Sequence, residues 1–214
     1  MSATLAEITR YRIIPVVVLN DVANASGLGD ALVGGGLPVA EVTFRTDAAA
    51  GSIKVLADRG DIIVGAGTVR SVDQVNQAVD AGAKFLVSPG LRTDIVLRAQ
   101  ELGVPILPGA VTPSEILAAH ELGLGTVKFF PANVYGGAAA IKALSAPFTD
   151  ISFIPTGGVS AANLGEFLAL PCIPAIGGTW MVPAKTVDAG EFDKIESLTR
   201  EAMNLVAELT QGEN

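Results

Sequence analysis

The chain has 214 residues, half of them hydrophobic and 17% charged, which fits one compact globular unit and excludes a disordered chain. Its formal charge of −8 argues against a nucleic-acid or anionic-membrane surface, since both attract basic patches. A single cysteine and no CxxC or His-rich pair exclude an internal disulfide and a structural zinc, and no signal peptide or membrane span is read, so a reducing, cytoplasmic setting is expected.

In chain order, the first predicted element is a helix over 3–11, ahead of the β-branched run "IIPVVVL" (13–19). The runs "VAEVTF" (39–44), "IIVGAGT" (62–68), "FLVSPG" (85–90) and "VPILPG" (104–109) follow as strands, each succeeded by a helix-like stretch. Then come "TVKFF" (126–130), "ISFIPTGG" (151–158) and "IPAIGG" (173–178), and a closing helix over 188–210. Ser71, Thr93 and Ser160 stand where N-caps belong. Thr112-Pro113-Ser114-Glu115 combines an N-cap, a proline in the first turn and a capping-box glutamate. Gly36, Gly60, Gly82, Gly103 and Gly123 mark helix ends. Cys172, just before the last strand, reads as a small buried residue.

Eight strand–helix units at roughly 20–25-residue spacing are the pattern of a (β/α)8 TIM barrel. No linker divides them, so residues 1–214 read as a single domain with an extra N-terminal helix. A doubly wound open sheet is the competing architecture; eight even units without a second domain favour closure.

In such a barrel chemistry sits at the C-terminal ends of the strands. Lys84 precedes its strand, whereas Lys128 in "GTVKFFPAN" stands near the top of the sixth. Two readings of Lys128 compete. In one, its stem lies on apolar surface while the ammonium reaches water; in the other, an amine in a dry pocket has a lowered pKa and acts as a nucleophile. Alternation puts Thr126, Lys128 and Phe130 on one face and Val127 and Phe129 on the other. If the second face meets the helices, Lys128 points into the barrel mouth.

The second strand carries "EVTFRT", with Glu41, Thr43 and Arg45 on its inward face. Glu41 lies deeper, where it could exchange protons; Arg45 suits a bidentate grip on a carboxylate. The alternative is an internal Glu–Arg pair of structural meaning only. The seventh and eighth units end in "PTGGVS" and "GGTW", and the pairs Gly157–Gly158 and Gly177–Gly178 fit the phosphate site that barrels build there. Thr179 could add a hydroxyl. "GAGTV" lacks the third glycine of a dinucleotide fingerprint and reads as a turn exposing Thr68. His120, the only histidine, lies within a helix and reads as a surface or packing residue.

Taken in order, "EVTFRT", "GAGTV", "SPG", "PG…TPSE", "KFFPA", "PTGGVS" and "GGTWMVP" resemble the 2-keto-3-deoxy-6-phosphogluconate (KDPG) aldolase family, whose members can also cleave 4-hydroxy-2-oxoglutarate (KHG). The resemblance covers about Ile14 to Pro183. It implies a class I, metal-independent aldolase with Lys128 as Schiff-base lysine and Glu41 as proton shuttle. Arg45 and Thr68 would hold the pyruvyl end, and Gly157, Gly158, Gly177, Gly178 and Thr179 the phosphate. Pro89, Phe130 and Thr156, within the same motifs, would complete the substrate site. No cofactor is implied, the partners are the sugar-acid phosphate and pyruvate, and the assembly is a homotrimer. Thr179, where the family often has serine, and Asn133, where an acidic residue is expected, depart from the pattern and bear on substrate preference. A sugar-phosphate isomerase or epimerase on the same barrel is a rival reading that leaves Lys128 without a covalent role. A non-catalytic phosphosugar-binding barrel is another, and it makes the inward polar set incidental.

Overall fold

The structure, a computed structural model, describes residues 2–210. Eight short strands form it: β1 (Ile13–Val17), β2 (Val39–Thr43), β3 (Ile63–Gly67), β4 (Leu86–Val87), β5 (Ile106–Leu107), β6 (Thr126–Phe129), β7 (Ser152–Pro155) and β8 (Ile176–Gly178). Helix α1 (Ala3–Thr9) precedes β1. The connections carry α2 (Asn24–Gly34), α3 (Ala49–Arg59), α4 (Val72–Asp80), α5 (Thr93–Glu101), α6 (Pro113–Glu121), α7 (Gly137–Ser145) and α8 (Leu164–Leu168). Helices α9 (Ala184–Asp188) and α10 (Phe192–Thr210) follow β8.

All strand pairs are parallel, as connections through helices require. Six strands form a curled sheet in the order β5-β4-β3-β2-β1-β8, and β6 pairs with β7. Single bridges join the two sheets, Gly109 with Lys128 and Thr156 with Gly177. At the first, Lys128 N–H donates to Pro108 O and Ala110 N–H to Lys128 O, both at 2.9 Å.

The strands are shorter than the apolar runs that announce them, and proline gives the reason. The run 104–109 contains Pro105 and Pro108, which lack a ladder donor, and only Ile106–Leu107 remains as strand. Pro174 likewise cuts 173–178 back to Ile176–Gly178.

Helix starts are legible where a side chain closes the cap. Ser71 Oγ accepts from Gln74 N–H, and Thr112 and Glu115 form the full capping box. Two expected N-caps are corrected. Thr93 is the first helical residue of α5, behind Arg92. Ser160 stands in the loop before α8, its N–H donating to Asn163 Oδ1 at 2.8 Å. The closing helix, expected from 188, begins only at Phe192; a separate α9 ends at Asp188, and Gly190, with φ +68°, lies between the two. The five helix-end glycines all adopt left-handed φ, from +70° to +98°.

The core is built around Phe85, Phe129, Phe153 and Phe167, all fully buried. Cys172 is half-buried rather than enclosed. Its carbonyl is pinned by Phe153 N–H at 2.8 Å, and it lines a groove with Lys142, Phe148 and Leu170. Among the described residues, no helix is long and apolar enough to cross a membrane.

Candidate active site

Strand alternation decides where Lys128 goes. Its neighbour Phe129 is fully buried and packs edge-on against Phe153, with ring centroids 6.4 Å apart, and against Tyr135 at 6.5 Å. That face is committed to the core, so Lys128 takes the other. Its side chain is 6% exposed, with Nζ 3.5 Å from Glu41 Oε1. The ammonium also lies over the Phe130 ring, 5.0 Å from its centroid, within cation–π range. Strand β2 is separated from β6 by β3, β4 and β5, so these two side chains meet across three intervening strands and not between neighbours in a sheet. A lysine reaching outward for water does not fit this burial.

Glu41 is 3% exposed, and the glycines of "GAGTV" explain how a carboxylate fits there. A Cβ added at Gly67 would lie 2.2 Å from Glu41 Oε1 and 2.7 Å from its Cγ. One added at Gly65 would lie 2.4 Å from the Phe85 ring. The first glycine therefore admits a core aromatic, and the second leaves a shelf on which Glu41 lies. Thr43 donates its hydroxyl to Val17 O at 2.9 Å, away from the lysine.

Arg45 departs from the expectation of a buried inward set. Strand β2 ends at Thr43, and Arg45 N–H folds back onto Thr43 O at 2.8 Å. The guanidinium is consequently exposed at the rim, its Nε 3.4 Å from Thr68 Oγ1. Thr68 has φ +58°, a left-handed conformation that is an outlier for a β-branched residue. Neighbouring bonds hold it there: Phe44 N–H donates to Gly67 O at 2.8 Å and Val69 N–H to Val87 O at 3.0 Å. Strain maintained by its surroundings concentrates at functional sites, and here it presents a hydroxyl to Arg45. An open cleft of about 370 Å³ runs on from Arg45 past Arg70 and Gln74.

Gly157 and Gly158 form the turn after β7, with φ +94° and +80°. A Cβ at Gly157 would lie 3.3 Å from Phe130 Cδ2, so the ring under the lysine also abuts this turn. The second glycine pair is placed differently from the expectation of a loop. Gly177 and Gly178 lie within β8, paired with Ile14 and Pro15 of β1. A Cβ at Gly177 would meet the buried Thr156 Oγ1 at 2.3 Å, and one at Gly178 the Trp180 ring at 2.0 Å. Thr179 is the first residue beyond the strand and is exposed. Pro89 enters through its carbonyl, which would lie 2.1 Å from a Cβ at Gly109, the bridge partner of Lys128.

Asn133, singled out in the sequence as a departure bearing on substrate preference, and Asn163, which the sequence did not reveal, are structural members of the site. Both donate an amide to Gly158 O, at 2.7 and 2.9 Å. The signal was a short amide side chain in a loop just past a strand, the residue type that bonds to nearby backbone. His120 is exposed and pairs with Asp150 at 2.9 Å. Among the described residues, no cluster of three or more His, Cys, Asp or Glu could hold a metal ion.

A family model described as "Aldolase: KDPG and KHG aldolase" matches residues 5–198. The chain belongs to that family. A 2-dehydro-3-deoxy-phosphogluconate aldolase of Treponema pallidum is 45% identical over 198 residues, 92% of this chain and 94% of the relative. Among solved structures, the KDPG aldolase of Zymomonas mobilis ZM4 with 3-phosphoglycerate superposes with TM-score 0.87 at 38% identity, covering 92% of this chain and 93% of that one. The KDPG aldolase of Legionella pneumophila, with pyruvate captured as a covalent carbinolamine, superposes at 0.88 with 34% identity, covering 92% and 96%.

Proposed function

We propose that this KDPG/KHG-family chain is a class I aldolase whose catalytic centre is the buried Lys128–Glu41 pair. It cleaves 2-dehydro-3-deoxy-6-phosphogluconate to pyruvate and glyceraldehyde 3-phosphate, and takes 4-hydroxy-2-oxoglutarate as a second substrate. The carrying observation is a lysine amine and a carboxylate 3.5 Å apart, both nearly enclosed. An isomerase needs no such lysine.

Each step follows from that contact. Glu41 takes a proton from the ammonium, and the free Nζ adds to the C2 carbonyl. Glu41 returns that proton to the carbinolamine hydroxyl, which leaves as water, and a protonated imine conjugated to the C1 carboxylate remains. The C3–C4 bond then breaks, its electron pair moving into the iminium to leave an enamine. The C4 hydroxyl gives up its proton to Glu41, and the aldehyde departs. Glu41 returns a proton to C3, and hydrolysis frees pyruvate and the lysine. The iminium polarises the bond, so the chemistry is metal-independent.

Arg45 and Thr68 at the rim hold the C1 carboxylate, an assignment supported by their contact and by the strain at Thr68. The phosphate lies at the Gly157–Gly158 turn, with Thr179 adding a hydroxyl. Gly177 and Gly178 act in this site through Thr156 and Trp180, whose side chains their missing Cβ atoms admit. The two bridges between the sheets support closure of the eight strands into one (β/α)8 barrel forming a single domain. The single cysteine suits a cytoplasmic setting. By family likeness the chain assembles as a homotrimer, which sedimentation equilibrium would check.

Trapping tests the lysine. Incubation with pyruvate and borohydride should inactivate the enzyme and leave a reduced three-carbon adduct on Lys128, and Lys128→Ala should abolish it. An adduct on Lys84 or Lys142, or none, overturns the assignment.

A further inference from the structure

The turn assigned to the phosphate is held by more than its glycines. Three successive carbonyls in it are occupied from the loop that follows β6. Ala132 N–H donates to Thr156 O at 2.8 Å and Asn133 N–H to Gly157 O at 3.1 Å. The Asn133 amide then donates to Gly158 O at 2.7 Å. Asn163 donates to the same oxygen at 2.9 Å, while its own Oδ1 accepts from Ser160 N–H at 2.8 Å. The amide orientations follow from their partners. A carbonyl can only accept, so Nδ2 must face Gly158 O in both residues; a backbone N–H can only donate, so Asn163 Oδ1 must face Ser160.

A trans peptide is planar, with its N–H opposed to its C=O. Pinning the carbonyls of Thr156, Gly157 and Gly158 toward residues 132–133 therefore turns the N–H groups of Gly157, Gly158 and Val159 the other way. Those of Gly158 and Val159 have no protein acceptor among the described residues. The peptide after Gly158 is the one most free to rotate, because glycine accepts several backbone angles. Rotation of that plane would swing a carbonyl dipole to where its N–H had pointed. Asn133 lies flat on Gly158, its Nδ2 only 2.5 Å from the position of an added Cβ.

We propose that Asn133 and Asn163 are positioning residues that set the preference for phosphorylated substrate, by jointly fixing the Gly158 carbonyl so that the Gly158 and Val159 N–H groups face the anion. This rests on the assignment of the phosphate to the Gly157–Gly158 turn. Neither asparagine touches the reacting carbons, so both act through the turn.

The test compares two substrates across three variants. Asn133→Ala and Asn163→Ala should each raise KM for the phosphorylated substrate by about tenfold, the size of one lost hydrogen bond. The double variant should lose more than the product of the singles, because each amide alone still holds the shared carbonyl. KM for 4-hydroxy-2-oxoglutarate and the rate of pyruvate proton exchange should stay within about twofold, since Lys128 and Glu41 are untouched. Equal losses on both substrates, or none in the double variant, overturn the proposal. Backbone amide NMR of the intact enzyme titrated with inorganic phosphate separates the two claims. Absence of shifts at Gly158 and Val159 in wild type removes the phosphate assignment itself. Shifts that persist unchanged in the double variant remove only the role of the asparagines.

Discussion

The contact between Glu41 and Gly67 permits a test of the carboxylate without changing it. An alanine at 67 would put a methyl 2.2 Å from Glu41 Oε1, 2.7 Å from Cγ and 2.8 Å from Cδ. Gly67 is not among the left-handed glycines, so the backbone accepts alanine and the strain falls on the side chain. Carbon–carbon contacts settle near 3.5–4.0 Å, so Glu41 must retreat by about 1 Å, comparable with the margin in its 3.5 Å approach to Lys128. A displacement of that size can cost about 10²-fold in rate, and overpacking about 1–3 kcal/mol in stability. The assay is deuterium exchange into the methyl group of pyruvate, run beside borohydride trapping. Gly67→Ala should still trap pyruvate while exchanging about 10²-fold more slowly, within the 10²–10⁴-fold deficit that removal of a general acid–base gives in Glu41→Gln. Gly65→Ala is the control: its methyl meets the Phe85 ring, so it should lower the melting temperature and leave exchange per folded molecule intact. A folded Gly67→Ala exchanging at the wild-type rate would show that the carboxylate's position is immaterial and that the base lies elsewhere.

Arg45→Ala should raise KM for pyruvate with little change in kcat, because an exposed rim cation contributes alike to ground and transition states; a fall in kcat at constant KM would count against that role. Thr179→Ala should cost about 0.5–1.5 kcal/mol of kcat/KM on the phosphorylated substrate and nothing on 4-hydroxy-2-oxoglutarate, while Thr179→Ser stays neutral; equal losses on both refute it. Burial raises the Glu115 carboxyl, but Val111 N–H, the Thr112 hydroxyl and Thr112 N–H outweigh it and hold the group below its usual value. Its stabilisation is thus present above the unfolded value of about 4.3 and lost as pH falls through the lower folded value. Glu115→Gln should accordingly lower the urea midpoint at pH 7, and the difference should close in acid.

The sequence was most informative where a residue type has one physical use. A left-handed glycine after a helical stretch is such a case, and all five helix ends were read from it. Thr112 and Glu115 are another, since each satisfies the other's orphan N–H. The inward placement of Lys128 was legible through alternation, given that Val127 and Phe129 on the other face are core residues. Arg45 misled because alternation was carried past the end of β2, where the chain turns and the period of two no longer applies. Thr93 and Ser160 misled because a hydroxyl near a helix start caps it only if the backbone places it one residue before the first turn.

The two glycine pairs expose a deeper limit. In sequence Gly157–Gly158 and Gly177–Gly178 look alike, each a pair beside the end of a strand, and both suggest close approach of an anion. In the structure one pair needs glycine for its backbone angles, at φ +94° and +80°. The other needs it for room, because Thr156 and Trp180 occupy the space where Cβ atoms would stand. Spacing cannot distinguish these uses, since the second depends on side chains contributed by other segments. The distinction changes which experiment is informative. Valine at 178 would drive into the Trp180 ring and perturb β8 itself, so a rise in KM there would say little about phosphate. Thr179, exposed beyond the strand end, and Asn133, acting on a carbonyl from outside, can be changed without filling that space, and a substrate-dependent loss at either is attributable to the anion.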